Sequence, residues 1–151
     1  MRKFQKIHVE ISNICNLQCH FCPPVERHKK IMDLKTFQKI IPQIKSLTET
    51  VCLHLMGEPL SHPQFSEIVQ ECEEHNLPIF LVTNGTLLNE QTLPSLLKPI
   101  FRQINFSLHS FPDNFPKAHP QTYLYKIFEI SEKIQLTQPE TYINYRLWNL
   151  Q

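Results

Sequence analysis

Cys15, Cys19 and Cys22 fall within the run Cys15-Asn16-Leu17-Gln18-Cys19-His20-Phe21-Cys22. With three and then two residues between them on a short connection, the thiolates can turn inward on one centre. The number three is informative. A closed zinc or iron–sulfur site takes four protein ligands, so three thiolates leave one metal position for a group that is not protein. The expectation is chemistry at the metal rather than a structural staple. The competing reading of the same residues is a zinc site completed by His20 or another histidine, although no second cysteine knuckle accompanies it.

The rest of the composition is that of an ordinary globular domain. At 151 residues, with 41% apolar and 19% charged, the chain can bury a core and does not read as disordered. A net charge of +1 supplies no electrostatic case for nucleic acid or a membrane surface. The first residues are basic but no apolar run follows them, and no stretch approaches the ~18 apolar residues of a membrane span. Five cysteines is an odd count with three clustered. That fits metal ligation in a reducing cytoplasm better than a disulfide framework, and Cys52 and Cys72 read as buried core thiols.

Strand-like and helix-like segments alternate. Ile7, Val9 and Ile11 alternate with polar residues as a first strand does. Asp33 caps a helix with Leu34, Phe37, Ile41 and Ile44 on one face, which Pro42 should kink. Val51 to Met56 reads as the second strand, and Ser61 with Pro63 opens a helix burying Phe65, Ile68, Val69 and Cys72. Pro78 to Val82 reads as a third strand covered on both faces. A helix is expected from Asn89 to Lys98, then a fourth strand over Gln103 to Leu108. The three prolines between Phe111 and Gln121 mark a loop. A helix carrying Leu124, Ile127, Phe128 and Ile134 follows, then a fifth strand from Tyr142 to Trp148. Strict β-α alternation favours α/β architecture, a parallel sheet with right-handed crossovers, open or part of a barrel.

Function in such sheets gathers at the C-terminal strand ends. The only two glycines, Gly57 and Gly85, both fall there. A chain this poor in glycine keeps it where φ is positive or the backbone passes close by. The cysteines follow strand one, Gly57-Glu58-Pro59 strand two and Asn84-Gly85 strand three; Ser107 and His109 end strand four, and Arg146 lies late in strand five. His54 reads as a satisfied core histidine, and Tyr145 and Trp148 as packing residues.

The run Ile11 to Pro23 resembles the cluster motif of radical S-adenosylmethionine (SAM) enzymes, C-x3-C-x2-C with an aromatic residue before the last cysteine. Gly57-Glu58-Pro59 is similar to that family's glycine–glutamate motif after strand two, with Met56 where a first glycine is commoner. Val82-Thr83-Asn84-Gly85 and the Ser107 strand end extend the likeness. The resemblance implies a partial parallel (β/α) barrel in which Cys15, Cys19 and Cys22 hold three irons of a [4Fe–4S] cluster. The fourth iron would take the amino and carboxylate groups of SAM. It further implies Glu58, with the Gly57 and Pro59 backbone, at the methionine ammonium and Phe21 near the adenine. Ser107 and Asn84 would serve the ribose or methionine end, and Arg146 the methionine carboxylate.

That family's core has six β/α units and this chain supplies five strands. The expectation is a single domain over residues 1–151 that lacks its sixth unit and needs a complementing C-terminal region or subunit. The implied partners are a small electron donor such as flavodoxin or ferredoxin and a substrate the sequence does not name, in the cytoplasm. The alternative function is a truncated or degenerate iron–sulfur or zinc-binding module without catalysis.

Overall fold

A computed structural model describes residues 4–148. Five parallel strands form one sheet in sequential order: β1 (Ile7–His8), β2 (Val51–Cys52), β3 (Ile79–Thr83), β4 (Phe101–Ser107) and β5 (Tyr142–Arg146). Five helices run between them: α1 (Leu34–Leu47), α2 (Phe65–Glu74), α3 (Leu93–Leu96), α4 (Ser110–Asn114) and α5 (Gln121–Thr137). This is the α/β parallel sheet that the alternation predicts. Among the described residues, no helix is long and apolar enough to cross a membrane.

Side chains at alternate strand positions go to opposite faces. Ile79 and Leu81 of β3, with Ile104 and Phe106 of β4, are fully buried in one core with the helical residues Phe37, Ile41, Ile68 and Ile127. Burial of each such side chain is worth roughly 1.5–3 kcal/mol, which lets short strands hold helices in place. The other face is mixed, with Phe80 and Val82 of β3 beside Gln103 and Asn105 of β4. Buried Asn105 accepts at Oδ1 from Gln103 Nε2 (2.9 Å) and Asn144 Nδ2 (3.2 Å), and donates from Nδ2 to the Leu81 carbonyl (3.0 Å).

Several expected boundaries move for identifiable reasons. Asp33 caps α1 by accepting the Thr36 N–H at 2.9 Å, and the helix runs unbroken through an exposed Pro42. Helix α2 begins later than Ser61. Glu58 caps a single 3-10 turn over Pro59–Ser61, and the Ser61 hydroxyl bonds the Glu58 and Ile14 carbonyls instead of starting a helix. The expected Asn89–Lys98 helix shrinks to α3, because Asn89 Oδ1 accepts the Gln91 and Thr92 N–H groups in a turn. The expected loop after β4 contains α4. Pro112 is tolerated there because the first turn of a helix has no partner for its N–H groups. On α5, Phe128 is exposed, while Tyr123 and Ile130 join Ile127 and Ile134 in the core. Strand β5 is an edge with Tyr142 and Tyr145 exposed.

Candidate metal centre

The loop after β1 carries the three cysteines and is held from four directions. Asn13 fixes its base, donating from Nδ2 to the His28 carbonyl (2.9 Å) and accepting the Lys30 N–H (2.7 Å). Arg27 closes the far end as a bidentate pair with Glu10 (2.7 and 3.0 Å), whose Oε1 also accepts the Met56 N–H (2.9 Å). The glycine turn supports the loop from beneath. The Glu58 N–H reaches the Ile14 carbonyl at 2.9 Å, and Gly57 has φ +80°. A Cβ on Gly57 would stand 2.5 Å from the Ser12 carbonyl oxygen, so both reasons for a glycine apply there. From the fourth side α4 reaches over, with Asp113 accepting the His20 N–H (2.9 Å) and Asn114 accepting the Gln18 N–H (2.8 Å).

Cys15, Cys19 and Cys22 line one cavity of about 580 Å³, within the size range of small-molecule sites. Phe21, Gly57, Glu58, Asn84, Ser107 and Arg146 line the same cavity, so five strand ends converge as the sequence predicts. Pro59 is the exception. It is buried at the start of the 3-10 turn and does not reach the cavity wall.

Each thiol is pushed above its ordinary value, first by burial and then by the charges of neighbouring thiols and acids. Protons therefore hold these sulfurs until a metal displaces them. N–H groups point at two of the sulfurs: Leu17 N (3.4 Å) and Asn84 Nδ2 (3.9 Å) at Cys15, and Asn114 Nδ2 (3.1 Å) at Cys19. Among the described residues, no three His, Cys, Asp or Glu side chains converge closely enough to hold one metal ion. Three thiols around a shared cavity, with amide donors behind them, suit a group that offers each sulfur its own iron. They suit a single zinc ion less well.

Glu58 is placed differently from the expectation of a ligand for an ammonium. It is fully buried, and its carboxylate accepts from Leu60 N (3.0 Å), Thr83 Oγ1 (2.7 Å) and Asn84 N (2.8 Å). Burial pushes its carboxyl up, against the pull of those three donors. It acts as a buckle between the ends of β2 and β3, with at most one acceptor position spare.

Sequence reasoning missed three features. Asp113 and Asn114 lay in the expected loop, and no local pattern marks their contact with a segment over ninety residues away. His54 lines the cavity, but its buried Nδ1 has no hydrogen-bond partner among the described residues, so it is not a satisfied core histidine. Trp148 is 59% exposed and stacks on His109 with ring centroids 4.3 Å apart, and Phe21 lies 4.9 Å from each ring. These three rings form an aromatic wall over the cysteines rather than core packing.

The chain is similar in sequence and fold to known proteins. The family model described as Radical SAM superfamily matches residues 9–144. The tungsten-containing aldehyde ferredoxin oxidoreductase cofactor-modifying protein of Pyrococcus furiosus is 30% identical, over 70% of this chain and 31% of its own length. A GTP 3',8-cyclase of Synechocystis sp. is 31% identical, over 72% of this chain and 35% of its own. The chain thus spans about a third of the length of these curated relatives. Among solved structures, Streptococcus suis SuiB bound to S-adenosylmethionine superposes with a TM-score of 0.77 and 21% identity, over 99% of this chain and 35% of that one. BtrN in complex with AdoMet and 2-DOIA gives 0.64 and 19%, over 97% and 58%. At such identities the structural likeness speaks for the fold, a barrel of which this chain forms part. The chain belongs to the radical SAM superfamily, whose members work with a [4Fe–4S] cluster and S-adenosylmethionine.

Proposed function

We propose that this chain is the cluster- and SAM-binding portion of a radical SAM enzyme, with Cys15, Cys19 and Cys22 as the cluster ligands. The observation that supports it best is the convergence of the three thiols with the ends of all five strands on one cavity. A [4Fe–4S] cluster held by Cys15, Cys19 and Cys22 would supply one electron for the reductive cleavage of SAM to methionine and a 5′-deoxyadenosyl radical.

The protein's own part is placement and exclusion of water. The Gly57 turn sets the height of the cysteine loop, and Glu58 fixes the ends of β2 and β3 beneath it. Because most of the Glu58 acceptors are engaged, we assign contact with the methionine ammonium mainly to the backbone around Met56 and Gly57. Ser107 and Asn84 offer polar groups at the next strand ends, and Arg146 brings positive charge suited to a carboxylate. Phe21, with His109 and Trp148, offers aromatic faces for the adenine. A small electron-donor protein such as flavodoxin or ferredoxin would supply the electron, and the substrate would enter beside the sheet face that carries Asn105.

Anaerobic reconstitution with iron and sulfide tests the reading. Support is a cluster whose EPR spectrum changes when SAM is added, with 5′-deoxyadenosine formed under dithionite. One tightly bound zinc ion, and an iron spectrum indifferent to SAM, would overturn it.

A further inference from the structure

Helix α4 ends on two residues whose side chains reach the cysteine loop. Asn114 faces that loop with both ends of its amide. Its Oδ1 accepts the Gln18 N–H at 2.8 Å, which leaves Nδ2 facing the Cys19 sulfur at 3.1 Å and the Ser110 carbonyl at 2.9 Å. The Gln18 bond sets which way the amide is turned, because only oxygen can accept from a backbone N–H. Of the N–H groups aimed at the triplet among the described residues, this is the shortest contact and the only one to Cys19. Asp113 steadies the same stretch, pairing with the His20 ring and accepting the His20 N–H.

A donor held against a cysteine sulfur changes the electronics of whatever metal that sulfur binds. Hydrogen bonds to cluster sulfurs draw off electron density, and the state carrying one more electron gains most from this. Resting on the reading that the triplet holds a [4Fe–4S] cluster, we infer that Asn114 is a positioning residue that makes the cluster easier to reduce. Its N–H raises the reduction potential through Cys19, and its Oδ1 holds the loop that presents Cys19. Reduction moves one electron from an external donor, dithionite in the test, onto the cluster and breaks no bond.

The test is an EPR-monitored redox titration of the anaerobically reconstituted full chain, as wild type, Asn114→Asp and Asn114→Leu. Aspartate keeps an acceptor for the Gln18 N–H but loses the donor to sulfur. Leucine loses both without adding charge. Both variants should shift to a more negative potential, aspartate further because its charge adds to the loss. Iron content should hold in the aspartate variant and fall in the leucine variant. A leucine variant with the wild-type potential overturns the inference, even if aspartate shifts, because charge alone then explains that shift.

Should the leucine variant retain no iron, protein labelled with nitrogen-15 asparagine decides the matter. Pulsed EPR of the reduced wild type should show an asparagine nitrogen coupling that Asn114→Asp lacks; identical spectra overturn the inference. A wild type that assembles no cluster overturns the reading of the triplet as well. A cluster whose potential ignores residue 114 overturns this inference alone.

Discussion

The Asn84 backbone N–H donates to Glu58 Oε2 at 2.8 Å, tying the end of β3 to the turn after β2. Thr83 Oγ1 and Leu60 N donate to the other oxygen, so all the donors facing Glu58 require an acceptor. Glu58→Gln puts an N–H against one of them and leaves it unpaired in a buried place. We expect a loss of about 1–3 kcal/mol in urea unfolding of the metal-free protein. Unchanged stability would show that the buckle does not hold the strand ends.

The two glycines should respond unequally to alanine. At Gly57 a Cβ meets backbone atoms of Ser12, Asn13 and Ile14 at 2.5–2.9 Å, which cannot swing aside. At Gly85, with φ +73°, the nearest atom is the Ile127 Cδ1 at 2.9 Å, at the flexible end of a side chain. Gly85→Ala should cost about 1–2 kcal/mol for the left-handed backbone. Gly57→Ala should cost clearly more and also lower iron uptake, because the cysteine loop must lift. Thermal melts and iron assays on both variants check this order.

His54 makes the fold acid-sensitive. Burial, followed by the charges of His8 and Arg146, lowers its pKa from the ordinary 6.5 to about 4. The unfolded chain takes the proton near 6.5 and the folded chain does not until about 4, so stability present above 6.5 is lost as pH falls through that window. The full gap amounts to roughly 3 kcal/mol, about 2 of it between pH 7 and pH 5. His54→Phe should flatten this dependence relative to wild type in denaturant melts at the two pH values. Equal slopes would refute the assignment.

Cysteine substitutions should sort by position. Cys15→Ala, Cys19→Ala or Cys22→Ala should each abolish assembly of an intact four-iron cluster. Cys72→Ala, in the core and fully buried, should keep the iron and lose about 1 kcal/mol of stability. Iron and sulfide analysis with urea melts separates the two groups. Full iron retention in any of the first three variants would remove that residue from the ligand set.

Much of this was legible because it is local. Cysteine spacing, the Asp33 cap, the apolar stripe of α2 and the glycines at strand ends are written in residues near one another. Boundaries failed where a side chain had a better partner elsewhere. Ser61 looks like a helix cap, but its hydroxyl is drawn to the Ile14 carbonyl, 47 positions away. Asn114 sits among prolines and carries no pattern, because its role exists only once Cys19, 95 positions earlier, lies beside it. The His54 Nδ1 has no hydrogen-bond partner among the described residues, so no pairing rule could have pointed to it.

The brace that α4 places on the cysteine loop has a consequence for biogenesis. The sulfurs leave the ribosome ahead of Asp113 and Asn114, which follow more than ninety residues later. At about 5–20 residues per second, the nascent loop spends several seconds with its thiols exposed and no frame around them. Iron that arrives in that interval meets a floppy chelator, whereas iron that arrives afterwards meets a shaped seat. Productive metal loading at these cysteines should therefore wait until α4 has emerged and packed against the loop.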